Sequence, residues 1–191
     1  DAMLDRNPNL PPEEVEDIIM GCGNPEGAQG HNVGRNAAVL SKLPITTGGT
    51  TINRYCSSGL QSISMAAGQI MAGSYDTIIA GGAETISMMN MNMDNFVNER
   101  LAQDSPGIYF PMGMTAEVVA KRYEVSREAQ DEYAYESQMR TAAAQQSGGY
   151  DDEIIPMNTK MLLMNKETGE SKEIDYACLL YTSPSPRDGD E

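Results

Sequence analysis

The chain has 191 residues, 40% of them hydrophobic and 21% charged, which allows one sizeable core or a core with a smaller appendage. Thirteen basic against 28 acidic residues give a formal charge of −15, a field that repels nucleic acid phosphates and anionic lipid and argues against nucleic-acid binding. No run reaches the roughly 18 apolar residues of a bilayer span and no leader pattern opens the chain, so it reads as soluble.

In chain order, "PPEEVEDIIM" (residues 11–20) opens with helix-start chemistry and changes to Val15, Ile18 and Ile19, a short buried strand. "GCGNPEGAQGHN" is turn chemistry. "NVGRNAAVLSKLP" places Val33, Ala37, Leu40 and Leu43 on one helical stripe, closed by Pro44. Thr50, Thr51 and Ile52 end a strand that feeds Asn53 to Cys56. After Gly59, the positions Leu60, Ile63, Ala67, Ile70 and Met71 predict a helix that buries that face and ends near Gly73.

A compact strand follows over Thr77 to Ala80, running into Gly81 and Gly82, where the backbone needs close approach. Alternating strand and helix imply parallel strands with helical crossovers. From Ser87 the chain, rich in Met and Asn, loses its period and reads as an excursion from the sheet. The methionines at 88–93 read as a subunit contact or as the start of that excursion. Two helices come next, the second with Ser126 as N-cap, Glu128 in its first turn and Gly148 at its end. A strand is expected over Met161 to Met164. The last stretch, "ACLLYTSPSPRDGDE", resembles translated adapter or vector sequence and is set apart from the fold.

Three cysteines, Cys22, Cys56 and Cys178, without CxxC spacing argue against a disulfide framework or a zinc site and for a reducing compartment. Cys56 stands at a strand-to-helix turn, where the orphan N–H groups and positive end of the following helix favour thiolate over thiol. Small neighbours Ser57, Ser58 and Gly59 leave the sulfur open to a substrate. The alternative is a buried cysteine acting as a small hydrophobe. The pairs Glu13–Glu14 and Asp151–Asp152 read as solvated charges.

The segment "TTINRYCSSGLQSISMAAGQIMAG" followed by "IIAGGAETIS" resembles the nucleophile region of the thiolases, with its N-x-x-C-x-S-G and A-G-G-x-E patterns. "GAQGHNVGRNAAVLSKLP" is similar to the preceding segment of that family, and "PMGMTAEVVAKRYEVSREAQDEYAYESQMRTAAAQ" to its loop-domain motif and helical pair. The resemblance covers residues 14–160, approximately. It implies an α/β, thiolase-like fold, incomplete: an N-terminal mixed sheet with crossover helices plus part of an inserted loop domain. The expected boundaries are 1–87 for the α/β half, with its first strand missing, 88–176 for the partial loop domain and 177–191 for a non-native tail.

The resemblance further implies thiolytic cleavage of a 3-ketoacyl-CoA, or the reverse Claisen condensation, with Cys56 carrying the acyl group and its backbone N–H donating to the oxyanion. Met112 matches a position lining the acyl and pantetheine pocket, against the alternative of a flexible gap-filler. Acyl-CoA and CoA are the implied partners, with no separate cofactor and no metal. A homodimer or homotetramer and a bacterial cytoplasmic or organellar location go with the resemblance, and a truncated half would expose surface that its other half covers. Lys121, Arg122 and Arg127 read as a solvated helix face or as a cationic lip for CoA phosphates.

The family's catalytic histidine, its N-E-A-F-type asparagine and its second, C-x-G cysteine have no match here; they belong to a C-terminal half that this sequence stops short of. His31, the only histidine, lies in a different context and is expected in an ordinary loop. The chain alone is therefore expected to be inactive, lacking a general base. Two rivals share the fold: a ketosynthase-type condensing enzyme, disfavoured by the M-G-x-T-A-E segment, and a non-catalytic lipid- or CoA-binding module.

Overall fold

A computed structural model describes residues 1–88, 97–165 and 169–178. Most of the methionine cluster and the tail from residue 179 lie outside the described residues. The chain divides into two units, Asp1–Phe96 and Val97–Glu191.

In the first unit, α1 (Ala2–Arg6) and a 3₁₀ turn over Pro12–Glu14 lead into β1 (Asp17–Gly21). Then come α2 (Val33–Leu40), β2 (Thr50–Ile52), α3 (Ser58–Met71) and β3 (Ile78–Gly82). β1 is central, with β2 and β3 on either side, both parallel to it. The antiparallel member of a mixed sheet is not among the described strands of this unit. The crossover through α2 moves from β1 to its neighbour on one side, and the crossover through α3 moves back across β1 to the other. Two right-handed crossovers in opposite directions put their helices on opposite faces of the sheet.

Side-chain alternation along β1 serves those two faces. Ile18 and Met20 join Leu4, Val15, Ala38 and Leu43 in the hydrophobic cluster beneath α1 and α2. Gly21 faces α3 so closely that a Cβ there would stand 2.3 Å from the carbonyl carbon of Ser58. Ile19, two residues earlier on the same strand, is 1% exposed.

Both crossover helices turn a face to the sheet that differs from the expected apolar stripe. In α2 the buried residues are Gly34 and Ala38, while Leu40 is 85% exposed. In α3 they are Ser58, Ser62 and Ala66, and the expected stripe points outward, with Leu60 71% and Met71 88% exposed. The reason is close packing of backbones. A Cβ on Gly34 would stand 2.2 Å from the Thr50 oxygen, so only a small residue fits that contact. The Ser62 hydroxyl lies between the carbonyls of Gly59 (2.7 Å) and Gly81 (2.8 Å), tying α3 directly to β3.

The second unit holds α4 (Glu99–Asp104), α5 (Met112–Arg122), α6 (Arg127–Gln146) and an antiparallel pair, β4 (Met157–Met164) and β5 (Ser171–Cys178). Ser126 caps α6, its hydroxyl accepting from Ala129 N at 3.2 Å, and Gly148 takes the left-handed conformation just beyond the helix, at φ 71°. Both limits are those expected from sequence. β4 starts four residues before the expected strand, and β5 is an addition whose last two residues, 177 and 178, fall in the stretch expected to be non-native. None of the described residues of this unit is buried. Its ion pairs, such as Arg140–Glu136 on α6, are exposed and worth only tenths of a kcal/mol each. No described helix is long and apolar enough to cross a membrane.

Candidate active site

The turn between β2 and α3 is braced by its own side chains. The Asn53 side-chain oxygen accepts from Tyr55 N at 2.8 Å, and Tyr55 takes φ 47°. That left-handed conformation costs a residue with a Cβ roughly 1–2 kcal/mol. Ser58, 3% exposed, offsets the strain: its hydroxyl accepts from Arg54 N at 2.8 Å and donates to the Tyr55 carbonyl at 2.5 Å. Its own N–H bonds the same carbonyl at 3.0 Å. Cys56 is held between these anchors, two residues before the first residue of α3, and its side chain is exposed.

The C-terminal ends of the three parallel strands meet at this turn, where an α/β sheet characteristically places its ligands. A cavity of about 470 Å³ opens there, lined by Cys56 and Tyr55 from the turn, Gly21 and Gly23 from the exit of β1, and Gly82 and Glu84 from the exit of β3, among others. Without side chains at these glycines, a substrate can approach the main chain.

Glu84 links the two strand exits. One carboxylate oxygen accepts from Gly23 N at 2.7 Å; the other accepts from Asn24 N at 3.3 Å and from the Gln29 amide. Gln29, 4% exposed, also donates to the Asn24 carbonyl at 2.6 Å and accepts from Thr85 N. The Cys22 thiol approaches Glu84 at 3.8 Å and is 1% exposed. Burial, more than the nearby carboxylate, pushes this thiol above its ordinary pKa, so Cys22 stays protonated and inert.

A protein-family model described as "Thiolase, N-terminal domain" matches residues 1–179. The chain belongs to the thiolase family. A 3-ketoacyl-CoA thiolase of Bacillus subtilis is 50% identical over 145 residues, which are 75% of this chain and 37% of that protein. The 3-oxoadipyl-CoA/3-oxo-5,6-dehydrosuberyl-CoA thiolase of Escherichia coli is 41% identical, over 91% of this chain and 46% of that one. The crystal structure of the Bacillus anthracis acetyl-CoA acetyltransferase superposes with a TM-score of 0.71 at 30% identity, covering 92% of this chain and 45% of that chain. The chain thus spans less than half the length of these thiolase relatives, and its parallel sheet with crossover helices is a partial thiolase fold.

Of the residues expected to act in a thiolase, Cys56 stands in the cavity described above. Met112 opens α5 in the second unit and is 68% exposed, while the residues lining the cavity all come from the first unit. His31 is exposed in the loop ahead of α2, with φ 58°. Lys121 and Arg122 occupy the last turn of α5, where cations suit the helix dipole, and Arg127 pairs with Asp131 at 2.8 Å. Among the described residues no group of three or more His, Cys, Asp or Glu is placed to hold a metal ion. Sequence reasoning missed Gln29 and gave Glu84 no role beyond the A-G-G-x-E pattern. The signal for Glu84 was its place two residues beyond a double glycine at a strand end; Gln29, at the end of the 3₁₀ turn Gly27–Gln29, carried none.

Proposed function

We propose that the complete protein is a thiolase-type acyl-CoA C-acyltransferase that works through an acyl-Cys56 intermediate. The observation that carries the reading is the exposed sulfur of Cys56 on a braced turn, opening into a cavity walled by strand-end glycines. In this reading the Cys56 thiolate attacks the 3-keto carbon of a 3-ketoacyl-CoA. The bond between C2 and C3 breaks, the two-carbon part leaves as the acetyl-CoA enolate and takes up a proton, and the acyl group stays on sulfur. The thiol of free CoA then attacks the acyl-cysteine, loses its proton and restores the Cys56 thiolate. The Cys56 N–H, in the turn that leads into α3, serves as one oxyanion donor. His31 does not line the cavity, and in this reading the proton-transfer groups are supplied by the remaining length that the relatives possess.

The relative at 50% identity is named a 3-ketoacyl-CoA thiolase, which supports a 3-ketoacyl-CoA of fatty-acid β-oxidation as the substrate. Met112 is assigned a wall of the acyl and pantetheine site on family resemblance. The CoA thioester is substrate, and no separate cofactor or metal enters the scheme. A homodimer or homotetramer in a bacterial cytoplasm completes the reading, in keeping with the bacterial sources of these relatives. The test is to incubate the full-length enzyme with acetyl-CoA, quench in acid and map adducts by peptide mass spectrometry. An acetyl group on Cys56, absent in Cys56→Ser, is expected. A stable enzyme with no adduct, or with acetylation at another residue, refutes the reading.

A further inference from the structure

The Glu84 carboxylate reaches the nucleophile's turn through one intervening strand of backbone. Gly23 touches both groups: a Cβ there would stand 2.8 Å from Glu84 Oε2 and 3.2 Å from the Tyr55 carbonyl oxygen. That carbonyl belongs to the same planar peptide unit as the Cys56 N–H, so whatever fixes the direction of the one fixes the direction of the other. Ser58 holds the carbonyl from the α3 side, by hydroxyl at 2.5 Å and by N–H at 3.0 Å. Gly23 closes it in from the β1 side, and Gly23 is in turn held by Glu84 at 2.7 Å. Glu84 is itself fastened through Gln29, which bonds the Asn24 carbonyl and Thr85 N, closing a ring across the exits of β1 and β3.

We propose that Glu84 is a positioning residue for acyl transfer: by gripping Gly23 it locks the Tyr55–Cys56 peptide plane, and so aims the Cys56 N–H at the developing oxyanion. The inference rests on the acyl-Cys56 reading above. A carboxylate is required because both oxygens accept, one from Gly23 N and the other from Asn24 N and the Gln29 amide. Glutamine would turn an N–H₂ toward one of those donors. Aspartate would fall short by a methylene.

The test compares Glu84→Ala and Glu84→Gln with the unsubstituted full-length enzyme by two chemistries at the same sulfur. Acyl transfer from acetyl-CoA builds an oxyanion and needs its donor; alkylation by iodoacetamide displaces iodide and builds none. Complete loss of one donor costs about 10² to 10³ in rate, so a donor that is present but misaimed should cost about 10- to 100-fold in kcat. Glu84→Ala is expected to show that loss with KM for acyl-CoA within about threefold and Cys56 alkylation within about threefold, and Glu84→Gln a smaller loss of the same kind. Should the alanine variant fail to fold, the isosteric glutamine variant decides. Thr47→Ala serves as a stability control: the buried Thr47 hydroxyl bonds the Val15 carbonyl at 2.9 Å, ahead of the opposite end of β1, and its loss should leave kcat unchanged. Unchanged kcat in both Glu84 variants, or parallel losses of acyl transfer and alkylation, overturns the proposal while leaving the acyl-Cys56 reading intact. Absence of any Cys56 adduct in the unsubstituted enzyme overturns both.

Discussion

Gly21→Ala isolates the contact on which the geometry of Cys56 depends. The added Cβ would lie 2.3 Å from Ser58 C, 2.4 Å from Ser58 O and 2.5 Å from Gly59 N, all backbone atoms that cannot rotate away. Ordinary contact begins at 3.4 Å, so the start of α3 has to retreat by about 1.1 Å. Overpacking of this kind costs about 1–3 kcal/mol, and backbone against backbone puts the change at the upper end. At about 4–8 °C per kcal/mol, the first unit should lose more than 10 °C in Tm. Ser58 lies two residues beyond Cys56 and its hydroxyl holds the Tyr55 carbonyl, so the sulfur moves with it. A misplacement of about 1 Å near a reacting centre costs up to about 10²-fold in rate. Gly68→Ala on the same helix is the counterpart: its Cβ meets nothing within 4 Å, and replacing a mid-helix glycine should stabilise by about 0.5–1 kcal/mol. Urea unfolding followed by circular dichroism, with acyl-enzyme formation in the full-length enzyme, measures both quantities. Equal midpoints for the two variants, or a Gly21→Ala enzyme with undiminished acylation, would refute the packing argument.

Three further outcomes are expected. Burial raises the Cys22 thiol from its ordinary value of 9.0, so its contribution to stability is fully present below that value and is lost as pH rises through the folded one; Cys22→Ala should flatten this alkaline decline in denaturation midpoints measured against pH. The N–H of Glu128 in the first turn of α6, and then the Ser126 hydroxyl, lower the Glu128 pKa from 4.5, so its contribution is present above that value and is lost as pH falls through the folded one. Far-UV circular dichroism should show helix lost on acidification, less steeply in Glu128→Gln, and equal slopes would count against the cap. The outward face of α3, with Leu60 71% and Met71 88% exposed, should make this chain self-associate; sedimentation velocity should find Leu60→Lys/Met71→Lys more monomeric, and an unsubstituted chain that stays monomeric at high concentration contradicts the expectation.

The elements that a local signal bounds were legible. Ser126, Glu128 and Gly148 mark α6 because a cap, an acid at the positive helix end and a left-handed glycine each act within one turn of the residue that shows them. β5 escaped notice although Glu173 and Asp175 alternate with Ile174 and Tyr176 at its centre. Such a strand, with no buried face in this unit, carries too little apolar contrast to stand out from loop. The inward faces of α2 and α3 were misread for a more instructive reason. A periodicity of large apolar residues marks a face that gains from burial, whereas the face that touches the sheet is set by how closely two backbones approach. In α3 that approach is marked by Ser58, Ser62 and Ala66, a stripe at steps of four that carries almost no hydrophobic weight.

The same small residues explain why Cys56 could be found from sequence and its support could not. A nucleophile at a strand-to-helix turn announces itself locally, since β-branched residues end four positions before Cys56 and two serines and Gly59 follow it directly. The turn keeps its shape because Gly21 and Gly23 let the exit of β1 press against Ser58 and Tyr55, which are more than 30 positions away in the chain. Glu84 then holds Gly23 from 61 residues further on. A glycine read alone signals only conformational freedom; here its lack of a Cβ makes room for the nucleophile's turn. Close approach of backbones therefore does two things at once: it positions the sulfur, and it turns the large apolar side chains of α3 away from the sheet. A substitution that restores bulk to the inner face should disturb the chemistry at Cys56 before it disturbs the rest of the sheet, because the Tyr55–Cys56 peptide is the nearest backbone with no strand ladder to hold it in place.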